Sequence, residues 1–268
     1  MATTLQQTIV DYERDGAVVI RQPFQPQTID MLKEAIEAEI DLQRRKSGIT
    51  NRLQLYNLMK RNIAFSDFVR NTTVGEICAN ISRSSNVRFY FDVAFCKIGA
   101  SGADATSLHQ DAPSFGFKGD QIPSLWLALS DVPLEAGPLV FALGSHRLIK
   151  QVFRPAGSYQ QAPIEGYEDH SGIHLALAKH DLRLVPFLVN KGDAIVIHPR
   201  VIHGSLPVSN PQTCRIGYCT RWLGDDAIWS PSIYTESEEA SYRVPMVPGI
   251  SPPAATFSIV KPSGKLPP

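Results

Sequence analysis

Three side chains in two distant segments have the types needed to bind a metal ion together. His109 lies two positions before Asp111 in SLHQDAPSFG (107–116), and His203 lies in the later segment KGDAIVIHPRVIHGS (191–205). A His-x-Asp pair arises easily by chance in a chain of this composition, so the pair gains meaning only with His203. Two imidazoles and one carboxylate on one face of an octahedron leave three positions open. That arrangement suits Fe(II) that binds a chelating cosubstrate and dioxygen.

A basic residue follows His203 at a spacing that would bring the two residues close together. Arg215 stands on the next predicted strand, and the loop between the two strands would return it to the neighbourhood of His203. A guanidinium offers a planar, two-pronged donor to a carboxylate. Gly204, beside the histidine, lets backbone and cosubstrate approach closely. Arg221 lies on the same odd-numbered face of that strand.

Many short strands are predicted to carry these residues. Residues 87–96 alternate in polarity, which is typical of a strand with one apolar face. Further strands are predicted over residues 18–20, 124–132, 137–143, 182–189, 193–199 and 214–222. A helix is predicted over residues 27–43 with Thr28 as its N-cap, and helical turns over 44–73. The pattern predicts a mainly β fold with flanking helices, either a jelly roll or a sandwich.

The organisation along the chain favours one domain over residues 1–268. Its parts would be a helical N-terminal support over about residues 1–80, a jelly-roll core over about 87–224, and a C-terminal extension over about 225–268. The stretch 153–174 is rich in Gly, Pro, Gln and Tyr, and a loop of that length is typical of a lid or binding loop.

The composition excludes several classes of function. Lys and Arg number 26 and Asp and Glu number 26, so no excess charge attracts nucleic acid. No apolar run approaches the roughly 18 residues that span a bilayer. The 4 cysteines lack metal-binding spacing and no secretion signal is evident, which predicts a cytoplasmic protein with reduced thiols. A small-molecule substrate is the expected partner, with no nucleic acid and no membrane, and the protein would be a monomer or homodimer.

Other polar residues receive weaker assignments. His198 is interpreted as a structural histidine, and His146 receives no catalytic role. Histidines in or beside the long loop are expected to be exposed to solvent: His170, His174 and His180. Tyr159 and Tyr167 are possible substrate contacts in that loop. Gln54 and Asn57, in a polar segment with Arg52 and Tyr56, are candidates for the cavity mouth.

The motifs in this order resemble the phytanoyl-CoA dioxygenase family of Fe(II)/2-oxoglutarate-dependent oxygenases. The resemblance covers most of the chain and rests on DGAVVIRQPF, LHQD, SLWLALSD, GPLVFALGSHR, HPRVIHGS and the strand that holds Arg215. Each fragment alone is moderately specific, whereas the combination in sequence order is highly specific. The resemblance implies a double-stranded β-helix, which is a cupin-like jelly roll, with iron held between its two sheets.

Carried over residue by residue, the resemblance implies three iron ligands: His109, Asp111 and His203. It also implies that Arg215 pairs with the far carboxylate of 2-oxoglutarate and that the Ser205 hydroxyl assists it. Trp126 matches a position near the cosubstrate, although core packing is an equal alternative. The loop before the arginine often differs by a residue in relatives, so Arg221 is a rival for that carboxylate. Halogenating relatives have a small residue at the carboxylate position, so Asp111 predicts oxygenation.

The implied function is a dioxygenase that uses Fe(II), 2-oxoglutarate and dioxygen to hydroxylate, or otherwise oxidise at C–H, a small organic molecule of secondary metabolism. Three alternatives stay open at the level of sequence. The chain would be a jelly-roll metal-binding or sensor protein without turnover, a zinc hydrolase that uses the same three residues, or an acyl-CoA hydroxylase within the same family.

Overall fold

Six helices occur in the computed structural model, which describes residues 4–47, 52–98, 105–155, 165–210, 212–232, 235, 246–253, 257 and 259–260. They are α1 (Leu5–Asp15), α2 (Pro26–Ser47), α3 (Ile63–Asn71), α4 (Val74–Ile81), α5 (Ser145–Leu148) and α6 (Gly172–Lys179). Within these ranges, no helix combines the length and the hydropathy needed to cross a bilayer.

Thirteen strands form two larger sheets and a two-stranded ribbon in the described residues. They are β1 (Ala17–Ile20), β2 (Arg52–Tyr56), β3 (Val87–Ile98), β4 (Thr106–His109), β5 (Phe117–Lys118), β6 (Ser124–Ala128), β7 (Leu139–Ala142), β8 (Leu184–Pro186), β9 (Ala194–Ile197), β10 (His203–Ser205), β11 (Cys214–Leu223), β12 (Ile228–Trp229) and β13 (Ile259–Val260). The seven-stranded sheet has the order β1-β9-β6-β11-β3-β13, with β2 also paired to β3. The four-stranded sheet has the order β4-β10-β7-β8, and β12 pairs with β5. The predicted jelly roll is confirmed.

Strand β6 shows how alternation divides the core into two layers. Leu125 and Leu127 are fully buried in a cluster with Ile36 of α2, so the helices cover the outer face of the seven-stranded sheet. Trp126 and Ala128 point the other way, into a cluster that includes Phe141 of the four-stranded sheet. Successive side chains of a strand face opposite sides. Trp126 therefore faces the space between the two sheets.

Two local predictions in the N-terminal part were wrong. Helix α2 begins at Pro26, so Thr28 lies inside the first turn and is not the N-cap. Proline suits the first helical position, because its φ is fixed near the helical value and its missing N–H needs no partner. The second concerns residues 44–73, where helical turns are confirmed in the end of α2, a 3-10 helix (Leu58–Lys60) and α3. The prediction was wrong at Arg52–Tyr56, which forms β2 against β3. That pairing depends on a partner distant in sequence, which local periodicity does not register.

The long stretch 153–174 is only partly loop. Its end belongs to α6, and Phe153 forms an isolated bridge with Glu168 that closes the base of the segment. Tyr159, a predicted substrate contact, lies outside the described residues. In the C-terminal part, β12 and β13 return to β5 and β3, which ties the end of the chain to the sheets.

Candidate functional site

Strand pairing brings the two histidines of the predicted triad face to face. The antiparallel register of β4 and β10 places His109 opposite His203, and their ring centroids are 4.3 Å apart. Asp111 follows the end of β4 and precedes a short 3-10 helix (Ala112–Ser114). Its Oδ1 lies 3.5 Å from His109 Nε2 and 4.0 Å from His203 Nε2. One ligand atom from each residue lies within 4.8 Å of the others, which is the separation a shared metal ion requires.

Backbone carbonyls fix the orientation of both imidazoles. His109 Nδ1 donates to the Ser107 carbonyl at 2.8 Å, and His203 Nδ1 donates to the Val201 carbonyl at 3.0 Å. A carbonyl oxygen accepts only, so each Nδ1 carries the proton and each Nε2 presents its lone pair. Histidines that bind metals use this pattern, in which the nitrogen away from the metal is held by a backbone or carboxylate group. The donor set fits a divalent metal.

The electrostatics favour the protonation states that a metal needs at Asp111 and His203. At His109, burial would lower the pKa, but the neighbouring Asp111 carboxylate outweighs burial and raises it. Burial alone would raise the pKa of the Asp111 carboxyl, but the positive charge of Arg221 and the neighbouring imidazoles of His109 and His203 bring it well below its ordinary value. Burial, followed by the neighbouring His109, lowers the pKa of His203 to about 4. At neutral pH the carboxylate is therefore ionised and His203 is neutral, which are the forms that coordinate metals.

Gln110, between the two ligands, fastens the turn that carries them. Its side chain is 2% exposed and points away from the triad. The amide donates to the carbonyls of Gln151 and Arg200 at 3.2 and 3.3 Å, and its oxygen accepts the Phe153 N–H at 3.2 Å. Sequence analysis missed this residue because its three partners come from distant loops.

A cavity of about 330 Å³ opens beside the triad. At one end of it, Lys97 lies opposite Arg215 in the β3–β11 register, and Lys97 Nζ donates to Ser205 Oγ at 2.7 Å. Arg215 is 3% exposed, and its Nη1 donates to the Gly137 carbonyl. Burial, assisted by the charge of Arg52, lowers the pKa of Arg215 to about 10, and the side chain stays cationic at neutral pH. The residues Lys97, Ser205 and Arg215 are called the anion cluster below.

Lys97 was not predicted, although the sequence holds a signal for it. It continues the odd-numbered face of β3, which is apolar at Val87, Phe89, Phe91, Val93 and Phe95. Lysine is seldom buried without a partner, and here it is 4% exposed. A lysine on the apolar face of a strand therefore indicates a buried acceptor or an anionic ligand.

Arg221 lies on the other side of the triad from the anion cluster. Its Nη2 is 3.7 Å from Asp111 Oδ2, and its guanidinium carbon lies 4.7 Å from the ring centre of Phe91 and 5.6 Å from that of Phe115. Six residues of β11 separate it from Arg215, roughly 20 Å along an extended strand. The two arginines that sequence left as rivals therefore occupy opposite ends of the cavity.

Trp126 lines the cavity and also packs in the core between the sheets, and its place near the cosubstrate stays a prediction. Its indole occupies space that Gly217 of β11 leaves free. A Cβ on Gly217 would lie 2.1 Å from Trp126 Cζ2, which no relaxed structure tolerates. The glycine therefore lets the indole lie against the strand that carries Arg215 and Arg221.

The mouth of the cavity is formed in part by β2. Gln54 lines the cavity together with Arg52 and Tyr56, as the sequence suggested. Asn57 is not among the described lining residues, and its N–H instead binds the Asp92 carbonyl at 3.0 Å. Tyr167 faces a different cavity.

The remaining histidines have separate places. His198 is buried against Tyr12 and His146, as a structural histidine would be. His174 is exposed in α6 and His180 is half-buried at its end. The expectation of solvent exposure is confirmed for His174 and was wrong for His180 and His170, which are both half-buried. His170 donates from Nε2 to the Leu108 carbonyl at 2.7 Å. That bond ties the long segment to β4 immediately before His109.

Comparison with known proteins agrees with this geometry. The family model for phytanoyl-CoA dioxygenase (PhyH) matches residues 12–217. Phytanoyl-CoA dioxygenase domain-containing protein 1 of Danio rerio is 25% identical over 195 residues, which make up 71% of this chain and 62% of that protein. The matched part thus spans less than two thirds of that relative's length.

Solved structures show the same fold at low sequence identity. The carbocyclase SnoK from nogalamycin biosynthesis superposes with a TM-score of 0.74 at 17% identity, over 97% of this chain and 100% of that chain. The epimerase SnoN, solved with Fe3+, alpha ketoglutarate and nogalamycin RO, gives a TM-score of 0.74 at 18% identity, over 95% and 98% of the two chains. Because the PhyH model matches more than half of the sequence, this chain belongs to the phytanoyl-CoA dioxygenase family.

Proposed function

We propose that this protein is an Fe(II)/2-oxoglutarate-dependent oxygenase that hydroxylates, or otherwise oxidises at C–H, a small organic molecule. The observation that carries the proposal is the convergence of His109, Asp111 and His203, with both Nε2 lone pairs presented beside Asp111 at the wall of a cavity. A structural metal site needs four ligands and no cavity. Three ligands at a cavity wall instead leave coordination positions for a cosubstrate and dioxygen.

Each group of residues has its own role in this proposal. His109, Asp111 and His203 would hold the ferrous ion. When bound, the iron supplies dioxygen activation coupled to the oxidative decarboxylation of 2-oxoglutarate to succinate and carbon dioxide. The imidazoles and carboxylate stay in place because Ser107, Val201 and the Gln110 side chain fix the segments that carry them.

The anion cluster would bind the far carboxylate of 2-oxoglutarate. Ser205 follows His203 by two residues along β10, which is a distance of roughly 7 Å. The anion cluster therefore lies apart from the three metal-binding residues. Arg221 is unsuited to this role because it lies 3.7 Å from Asp111 and is therefore beside the metal. Lys97, Arg215 and the Ser205 hydroxyl offer charge-assisted hydrogen bonds that a buried carboxylate requires.

We further propose that the prime substrate is a small secondary metabolite. The cavity of about 330 Å³ lies at the lower end of the range for ligand pockets. The carbocyclase and epimerase of nogalamycin biosynthesis, which share the fold, act in secondary metabolism. Oxygenation, rather than halogenation, is supported by Asp111, whose carboxylate occupies the position that a halide would need.

The test is to mix the purified protein with Fe(II) and 2-oxoglutarate without oxygen and to record the visible spectrum. A weak charge-transfer band from chelated iron is expected, and replacing Fe(II) by Zn(II) should abolish it. Admission of oxygen should then yield succinate. A band without succinate would identify a metal-binding protein without turnover, and the absence of both would overturn the proposal. A metabolite panel screened for faster succinate formation would identify the substrate.

A further inference from the structure

We propose that Arg221 is the substrate-recognition residue of this cavity and that the prime substrate carries an anionic oxygen, of the carboxylate class, which Arg221 binds next to the metal ligands. The inference rests on the proposed function, in that it names the substrate class for the same cavity. Its evidence is independent of the family resemblance, because it comes from the charges and hydrogen bonds of the cavity wall.

The cavity wall has an excess of positive charge. Four of its lining residues are cationic: Arg52, Lys97, Arg215 and Arg221. Asp111 is the sole acidic residue among the described ones that line it. A ferrous ion and the 2-oxoglutarate dianion cancel each other, so the excess persists when both are bound. A second anion would therefore enter a cavity whose field favours it.

Two hydrogen-bond donors of Arg221 have no partner among the described residues. Arg221 is 7% exposed, and neither its Nε nor its Nη1 has a hydrogen-bond partner in the described part of the chain. Its third nitrogen approaches Asp111 at 3.7 Å, which is an ion-pair distance and too long for a hydrogen bond. Buried donors are nearly always paired in folded proteins, and those without a protein partner indicate a missing acceptor. An arginine that served only to hold Asp111 would form the short, forked pair typical of that interaction.

The surroundings of Arg221 suit the rest of such a substrate. Phe91 and Phe115 lie under the guanidinium and fix its plane. Ser114 and Tyr56 also line the cavity and supply hydroxyl groups. In the anion cluster at the far end, Lys97 binds Ser205 and Arg215 Nη1 binds the Gly137 carbonyl, while Arg215 Nε has no partner among the described residues and is open to the cosubstrate. In this proposal the anion cluster binds the cosubstrate at one end of the cavity, and Arg221 binds the substrate at the other end.

The experiment measures anion binding directly, with benzoate as the probe and benzamide as its uncharged counterpart. The protein is loaded with Ni(II) and excess 2-oxoglutarate, so that the anion cluster is filled and no turnover occurs. Each probe is then titrated and followed by ligand-detected NMR. Benzoate should bind at least about tenfold more tightly than benzamide, because a hydrogen bond to a charged group is worth more than tenfold in affinity. Equal affinities would overturn the proposal.

Substitutions of Arg221 test whether this residue causes the preference for benzoate over benzamide. Arg221→Gln should remove the preference for benzoate, and Arg221→Lys, which keeps the charge, should retain part of it. If Arg221→Gln instead weakens Ni(II) binding and leaves the preference intact, Arg221 only holds Asp111 and the proposal is wrong. Should the glutamine variant fail to fold, intermolecular NOEs between benzoate and labelled phenylalanine rings decide the matter, in the wild-type protein loaded with diamagnetic Zn(II) in place of Ni(II). Their absence would also refute the assignment.

A second experiment distinguishes a failure of this inference from a failure of the proposed function on which it rests. Benzoate and benzamide are titrated against Arg215→Gln without metal or 2-oxoglutarate, a background in which the cosubstrate end is weakened. A benzoate preference that disappears on adding Arg221→Gln supports the inference even if the protein forms no charge-transfer band with iron. No preference in this arm, with a normal iron band in the wild type, would refute the inference and leave the proposed function standing.

Discussion

Two pairs of histidines in this protein have almost the same geometry, but only one pair has the surroundings of a metal site. The rings of His109 and His203 lie 4.3 Å apart with 46° between their planes. Those of His146 and His198 lie 4.6 Å apart with 45° between their planes. The cavity pair has the Asp111 carboxylate within 4.0 Å of both Nε2 atoms, whereas in the second pair the Asp120 carboxylate lies 4.0 Å from His198 Nε2 alone. Proximity of two imidazoles is therefore insufficient to define a metal site.

Hydrogen bonds make the difference between the pairs. In the cavity pair both Nδ1 atoms donate to carbonyls, and both lone pairs face the same carboxylate. His198 Nδ1 instead accepts the Arg200 N–H at 3.1 Å, and His146 donates from Nε2 to the Glu13 carbonyl at 3.2 Å. The remaining lone pair of His146 is on Nδ1, which packs against the backbone of Gly16. The lone pairs of this second pair are thus used or blocked, and the backbone around each imidazole decides its chemistry.

Removal of the carboxylate should have the largest effect. Asp111→Ala is expected to weaken Fe(II) binding by more than the about 10–100-fold that loss of an outer hydrogen-bond partner costs, because a direct ligand is lost. An anaerobic Fe(II) titration measures this. His198→Asn, in the second pair, is the matched control and should leave Fe(II) affinity unchanged. Undiminished binding or hydroxylation in the Asp111 variant would remove this residue from the site.

The cavity pair of histidines also differs from the second pair in having the anion cluster nearby, where Arg215 is the proposed partner of 2-oxoglutarate. Arg215→Ala should raise the apparent Michaelis constant for 2-oxoglutarate by about 30-fold or more, since a buried carboxylate that loses its charged partner costs roughly 2–5 kcal/mol. Arg221→Gln should leave that constant unchanged. The reverse pattern, seen in steady-state succinate formation, would assign the clamp to Arg221.

The turn between the cavity ligands offers a smaller change. Gln110→Ala removes three hydrogen bonds to backbone groups and should lower Fe(II) affinity by about 10–100-fold, the usual effect of losing support behind a ligand. Gln22 fastens a different turn, through Lys191 and Asp193, and supplies the comparison. Gln22→Ala should affect stability and leave Fe(II) affinity alone. If both variants bind iron as the wild type does, Gln110 does not position the site.

The second pair should reveal itself in the pH dependence of stability. Burial, followed by the charge of His146, lowers the pKa of His198 to about 3, against about 6.5 in an unfolded chain. Between these values the unfolded chain binds a proton that the folded protein does not. The neutral His198 side chain therefore makes its full contribution to the free energy of unfolding above pH about 6.5. That contribution declines, by at most about 1.4 kcal/mol per pH unit, as the pH falls.

Urea unfolding of His198→Asn measures that contribution by difference. The variant should show a flatter decline between pH about 6.5 and the acid limit of folding than the wild type does. Parallel curves for the two proteins would mean that His198 titrates normally and is not held in its neutral form.

The regular elements were predictable because their signals are local. Alternation identified β3, β6 and β11, and the turn after α1 placed β1. The helix containing Ile29, Leu32, Ile36 and Ile40 has those four side chains buried, as its apolar periodicity indicated. The separated segments that hold His109 and His203 also follow from sequence, since each lies at the end of an apolar strand or turn.

Contacts between distant segments account for what the sequence did not reveal. Strand β2 exists through its register with β3, and Gln110 matters through three carbonyl and amide groups from other loops. His170 was expected in solvent, yet it binds the strand that carries His109. The separation of Arg215 from Arg221 required the register of β11, because both residues share one face of one strand.

The most direct test of the account is to locate iron in crystals grown without oxygen in the presence of Fe(II) and 2-oxoglutarate. Anomalous scattering at the iron edge should give one strong peak about 2 Å from the Nε2 atoms of His109 and His203, the length of a metal–nitrogen bond, and beside Asp111. The far carboxylate of 2-oxoglutarate should contact Arg215. A peak between His146 and His198, or iron elsewhere with the cavity triad free of metal, would contradict the central claim.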